Sequence, residues 1–369
     1  MRTLVRSSLV VIVLATASSC ALPYYWQAAS GHFDVLGKRT PIETVLADPQ
    51  QPPDVKQALR LVLDMRHFAV ATLDLPDNRS YRSYVDLQRP YVVWNVVAAE
   101  EFAVAPVQWC FAILGCVSYR GYFAREAAGR FAATLQAQGM DTYVAGATAY
   151  STLGYFADPV LNTMLTGGES YVAGILFHEL AHQKYYIRGD SDLNEAFASA
   201  VQQYGTLAWL AASGSAQAVA AYRASLRRQG DFAALIATQR ARLDAIYASP
   251  LAAQAMRASK VRAFAQLRED YAVLKRNWGG VGEYDAWFAQ PLNNAQLAAA
   301  ATYWRWLPAL TWYLDEHSLA ALYAQMERLE GLSAADRERQ LQTWLDVATA
   351  AAAMAGRING ARGADSSTD

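Results

Sequence analysis

His178-Glu179-Leu180-Ala181-His182 decides how the rest of this 369-residue chain is read. The run before it, Tyr171-Val-Ala-Gly-Ile-Leu-Phe177, is apolar and predicts the buried start of a helix. Positions i and i+4 of a helix share a face. His178 and His182 can therefore both reach one metal ion at about 2.0–2.1 Å. Glu179 sits beside the first of them, placed to take a proton from water rather than to bind metal. The chain has five histidines, and two of them fall in this pentapeptide. The competing reading is a helix carrying two structural histidines and a surface glutamate, and the apolar helix before it and polar turn after it argue against that.

A catalytic zinc site usually has three protein ligands and one open position. Downstream, Gly189-Asp190-Ser191 is turn chemistry, and a second helix is expected to start near Asp192. Asn194-Glu195-Ala196-Phe197-Ala198 on that helix resembles the NExxA segment of gluzincin metallopeptidases, in which the glutamate closes the coordination sphere, so Glu195 is the expected third ligand. Asp192 and Glu195 also have the spacing of a capping box, in which Glu195 would serve backbone donors. The separation of His182 and Glu195 is shorter than in many gluzincins, which leaves Asp192 or Asp190 as alternative ligands. Asp158, Glu169 and Asp192 are candidates for orienting the ligand histidines.

The N-terminus speaks to location. Arg2 and Arg6 precede the apolar run Leu9–Ala15, followed by small residues up to Cys20. This is the pattern of an export signal over 1–19, too short for a membrane span. Ala17-Ser18-Ser19-Cys20 resembles a bacterial lipobox with alanine where leucine is commoner, and the resemblance implies lipid attachment at Cys20. Such a lipoprotein is tethered in the bacterial envelope facing the periplasm, and Ala21 favours the outer membrane. The other cysteines, Cys110 and Cys116, are six apart, and an oxidising compartment favours a disulfide between them over two free thiols. The net charge of −1, with scattered basic residues, gives no reason to expect nucleic acid as a partner.

The expected fold is mainly α, of the α+β kind. A helical stretch over 20–88 includes a helix at Val55–Phe68. A mixed, sheet-containing part spans 89–168, with strands at Tyr91–Val97 and Thr142–Tyr150, the second a candidate edge for pairing with a substrate backbone. The two zinc helices lie in 169–210, and a large helical part covers 211–355. There, Phe264, Leu267, Tyr271, Leu274 and Trp278 make a core stripe ended by Gly279-Gly280, and a helix capped by Asn293-Asn294 runs to about Trp306 before Pro308. One domain of 20–355 is expected, with a disordered tail at 356–369.

Several longer runs add to the pentapeptide: Tyr24-Tyr-Trp-Gln-Ala-Ala-Ser-Gly-His32, Trp109-Cys-Phe111, Gly115-Cys-Val-Ser-Tyr-Arg-Gly-Tyr-Phe123, Gly154-Tyr-Phe-Ala-Asp-Pro159 and Asn293-Asn-Ala295. With these the chain resembles a bacterial aminopeptidase family of zinc-dependent, gluzincin-like lipoproteins. The resemblance implies a zincin-like core, one Zn²⁺ ion, a peptide substrate, and Glu179 as the base. A second donor for the developing oxyanion is expected from Tyr185, Tyr186 or Tyr303, and capture of a substrate α-amine from Glu169 or Asp158. An endopeptidase on the same site, or a non-catalytic zinc-containing envelope protein, are the competing functions.

Overall fold

A computed structural model describes residues 22–111, 115–301 and 304–365; Cys20 and Tyr303 lie outside them. The chain opens with helix α1 (Leu22–Gly37), strand β1 (Thr40–Pro41), a short helix α2 (Ile42–Ala47) and α3 (Pro53–Ala71). The strands β1 and β2 (Ser83–Val85) interrupt the helical stretch expected over 20–88. With β8 (Val160–Leu161) they form a small sheet of order β1-β2-β8, antiparallel then parallel.

The central sheet has the order β6-β3-β7, antiparallel throughout, from β3 (Val93–Ala99), β6 (Arg120–Tyr122) and β7 (Asp141–Ala147). Side chains alternate between faces. Trp94, Val96 and Ala98 face helix α4 (Arg125–Ala137), packing with Ala128, Ala132 and Leu135. Val93, Asn95 and Val97, paired with Ala147, Ala145 and Tyr143, form the opposite face. Strand β7 ends at Ala147, short of the expected Tyr150. The next backbone carbonyl, that of Thr148, accepts a hydrogen bond from Thr163 Oγ1 at 2.5 Å, so the chain there is tied to a turn instead of a ladder. A hairpin of β4 (Trp109–Phe111) and β5 (Gly115–Val117) sets Cys110 opposite Cys116, joined by a disulfide.

Helix α5 (Glu169–Lys184) begins after Gly168, whose φ of 80° is a conformation glycine adopts without strain. It buries Val172, Ala173, Leu176, Phe177, Leu180 and Ala181, so it is apolar nearly all round, as a helix in the middle of a core must be. Helix α6 (Ser191–Ala212) returns alongside it. Asp190, not Asp192, caps α6, accepting from Leu193 N at 3.3 Å. Asn194 closes the connecting turn: its side chain bonds both the N–H and the carbonyl of Ile187, each at 2.8 Å.

The rest is helical: α7 (Ala216–Tyr247), α8 (Ala253–Asn277), α9 (Asp285–Phe288), α10 (Asn294–Ala301), α11 (Leu307–Glu316), α12 (Leu319–Glu330) and α13 (Ala334–Asp365). Phe264, Leu267 and Tyr271 of α8 pack with Phe232, Ile236 and Leu243 of α7 in a core separate from the one around α5 and α6. Trp304 packs against both. One expectation fails here. The helix begun at Asn294 is described to Ala301 and the chain has left it by Trp304, and Pro308 lies in the first turn of α11, where its missing N–H breaks no helical bond. The described backbone of α13 runs on through 356–365, within the stretch expected as a tail.

Close approach of α6 to its neighbours depends on Gly205. A Cβ there would stand 2.6 Å from Leu73 Cδ1 and 2.9 Å from Phe177 Cδ2. Alanine favours a helix over glycine by about 1 kcal/mol, but overpacking a tight core costs about 1–3 kcal/mol. Gly205→Ala is therefore expected to destabilise the fold, read as a lower denaturant midpoint with an unchanged slope.

Candidate functional site

Helices α5 and α6 bring three donor side chains to one point. The Nε2 atoms of His178 and His182 lie 3.1 Å apart. Glu195 places Oε2 at 3.4 Å from the first and Oε1 at 3.7 Å from the second. All the ligating atoms of the three residues fall within 4.8 Å of one another. Donors held at 2.0–2.1 Å from a tetrahedral zinc ion are about 3.3 Å apart, so this triangle has the dimensions of such a site. The imidazole protons agree with it. The His178 ring is hydrogen-bonded through Nδ1 to Gln202 Oε1 at 3.1 Å, so Nδ1 carries the proton and Nε2 presents a lone pair. His182 Nε2 lies against that lone pair, a contact that needs a proton or a cation between the two nitrogens.

Two carboxylates in this site are driven in opposite directions. Burial pushes Glu179 up to about 7; His178 opposes the shift, while Glu195 and Asp158 add to it. Burial would also raise Glu195, but His182 and His178 outweigh it and hold the group well below the usual carboxylate range. One acid is thus kept ionised, and the other is kept able to carry a proton near neutrality.

The remaining candidates are dispersed. Asp190 caps α6 and pairs with Arg337 at 2.7 Å, and Asp192 is 3.6 Å from Arg305. Neither reaches the histidines, and the capping box of Asp192 with Glu195 does not form. Glu169 accepts from Trp209 Nε1 at 2.8 Å, tying the start of α5 to the end of α6. Asp158 is buried among Thr152 N and Oγ1 and Gln183 Nε2, at 3.0, 2.8 and 3.3 Å, where it shapes the 151–158 turn. None of these acids orients a ligand histidine. Tyr185 donates to Glu327 at 2.9 Å and packs on Phe197 and Tyr323, away from the site. Tyr186 remains beside it, its ring 6.4 Å from that of His182.

The central sheet forms the floor. A cavity of about 330 Å³ on the Glu179 side is lined by His32, Asn95, Tyr119, Tyr150 and Tyr186. A second, of about 400 Å³ on the Gln202 side, is lined by Asn95, Tyr119, Tyr143, Trp287 and Trp304. Both reach His178 and Glu195, so the cleft extends on two sides of the triad. Among the described residues lining the two cavities, Glu179 and Glu195 are the only carboxylates. A larger hollow, of about 850 Å³, continues from the second cavity past Ser118, Gln203 and Gln229.

Sequence reasoning missed Gln202, Tyr119 and the pair of His32 Nδ1 with Tyr150 Oη at 2.9 Å. Gln202 had a signal: it follows Glu195 by seven residues, two turns along the same helix face. Tyr119 had none, since only the pairing of β3 with β6 carries it over the triad.

A family model described as "Putative aminopeptidase" matches residues 23–341. No curated protein and no solved structure matches the chain.

Replacing the residue that holds a ligand histidine typically weakens metal affinity about 10–100-fold. Gln202→Leu is expected to do so for Zn²⁺, measured by competition with a chromophoric chelator, while Asp192→Asn leaves the affinity unchanged.

Proposed function

We propose, from the premise that the chain belongs to the putative aminopeptidase family, that it hydrolyses peptide bonds at one Zn²⁺ ion held by His178, His182 and Glu195 in a zincin-like core. The observation that carries this reading is the convergence of two imidazoles and an ionised carboxylate beside a buried, protonatable Glu179. Zinc held there would supply a Lewis acid that acidifies water towards neutrality and polarises a carbonyl. Glu179 takes the proton of the attacking water as its oxygen bonds to the peptide carbon. It then delivers that proton to the nitrogen as the C–N bond breaks, leaving a carboxylate and an amine. Tyr119, whose hydroxyl burial holds in its protonated form, and Tyr186 are the donors at hand for the developing oxyanion. A purely structural zinc site would give Glu179 no task.

Capture of a substrate α-ammonium, as an aminopeptidase requires, has no spare carboxylate among the described residues lining the two cavities at the triad; Asp192 and Asp244 line the hollow beyond the second. That observation, with a cleft running to both sides of the triad, favours a second reading, cleavage of internal bonds. The export signal and Cys20 lead us to propose further that the protein is a lipoprotein of the bacterial envelope, facing the periplasm from the outer membrane. The family match begins at residue 23, just after these features.

Glu179→Gln is expected to retain one zinc per chain and to lose hydrolysis by about 10²–10⁴-fold; unchanged turnover would remove Glu179 from the mechanism. On paired substrates, loss of cleavage after N-acetylation identifies an aminopeptidase, and retention an endopeptidase.

A further inference from the structure

Helix α1 has two unlike faces. Tyr24, Ala28 and His32, four residues apart, line the cavity on the Glu179 side. On the outer side Tyr25, Trp26, Ala29, Ser30 and Phe33 are exposed, with Trp26 at 76% and Phe33 at 60%. The 151–158 turn adds to this face. Phe156 stacks edge-on against Phe33 at 6.2 Å, and Tyr155 beside it is 74% exposed. No charged side chain lies between Tyr25 and Phe33 on the helix. At the rim Arg39 is held over the same turn, donating to Ala157 O at 2.9 Å. Contiguous exposed aromatics of this kind mark an interaction surface.

We propose that this outer face of α1, with Tyr155 and Phe156, lies in the headgroup layer of a phospholipid bilayer. The placement of the chain argues for lipid over a protein partner. Helix α1 is described from Leu22, two residues after Cys20 in sequence, so an anchor at Cys20 would hold this helix close to the membrane. Trp and Tyr, apolar bodies with polar tips, together with a rim arginine, match the chemistry of that layer. The consequence concerns substrate. The inner side of the same helix walls the cleft, so the Glu179-side cavity stands one helix diameter, about 10 Å, from the lipid. Peptides attached to or lying along the membrane are then the substrates best placed to enter.

The inference rests on the anchoring proposed at Cys20, which a mass measurement of the N-terminal peptide checks separately. The test uses the full chain reconstituted in phosphatidylethanolamine–phosphatidylglycerol vesicles, with a nitroxide label at Ala29→Cys or, as a control, at Val261→Cys, exposed on α8. The ratio of oxygen to nickel accessibility is expected to be severalfold higher at 29 than at 261. Combining Trp26→Ser, Phe33→Ser and Tyr155→Ser should bring it down to the control value and leave hydrolysis of a soluble peptide unchanged. Equal ratios at the two positions in a chain shown to carry its acyl groups would overturn docking while sparing the anchor. Loss of soluble-peptide hydrolysis with label immersion intact would overturn it too, and make the aromatics a platform for substrate.

Discussion

The close crossing of α5 and α6 is the constraint on which the site depends. Gly174 and Gly205 stand where the helices are nearest, and a side chain at Gly174 would come within 3.1 Å of Gln202 Nε2. The missing Cβ lets Gln202 lie across α5 and reach the ring of His178 one turn further on. The same approach brings Glu195, two turns back along α6, level with both imidazoles. A larger residue at Gly174 would therefore act on ligand orientation before it acted on the ligands themselves. Asn194 fixes the other end, since its two bonds to Ile187 set the angle at which α6 leaves the turn. Packing and site geometry are one property here.

Electrostatics then follow from position within that crossing. Glu179 and Glu195 are both desolvated, and desolvation alone would raise both. What separates them is the orientation of the rings. Both imidazoles face Glu195, and the carboxylate of Glu179 has only the weaker opposition of His178, with two other acids adding to the effect of burial. The two carboxylates thus differ by how the imidazoles face them from α5 and α6, although they are the same functional group.

Much of this was legible in sequence where the information is local. A spacing of four on an apolar helix states that His178 and His182 share a face whatever surrounds them. The core stripe of α8 was equally open to inspection. Glu195 was harder, because Asp190, Asp192 and Glu195 all sit within six residues, and local rules alone favour a capping role. The outcome turned on distant residues, Arg337 and Arg305, which draw the aspartates outward. Tyr119, His32 and Tyr150 were out of reach for the same reason: strand pairing and a helix far away in sequence bring them to the cleft. Pro308 misled because proline reads as a stop in isolation, yet it serves equally as a helix start. Which applies depends on whether the preceding chain has already left the helix, as it has by Trp304.

The form of the cleft bears on what the family description can carry. A peptidase that counts residues from a free amine needs a wall and a fixed negative charge at a set distance from the metal. On the proposed mechanism the two acids at the centre are taken up by ligation and proton transfer, and Asp158 and Glu169 are held by Thr152, Gln183 and Trp209. Freeing either would cost the hydrogen bonds that shape the 151–158 turn or hold α5 to α6. What lines both flanks instead is tyrosine, tryptophan, asparagine and the small side chains of the sheet face. Such a surface grips a backbone and apolar side chains with little regard for charge. Next to the triad, end-specificity would therefore come from steric closure of the cleft, and recognition of an ammonium group would fall to Asp192 or Asp244 in the hollow beyond the second cavity.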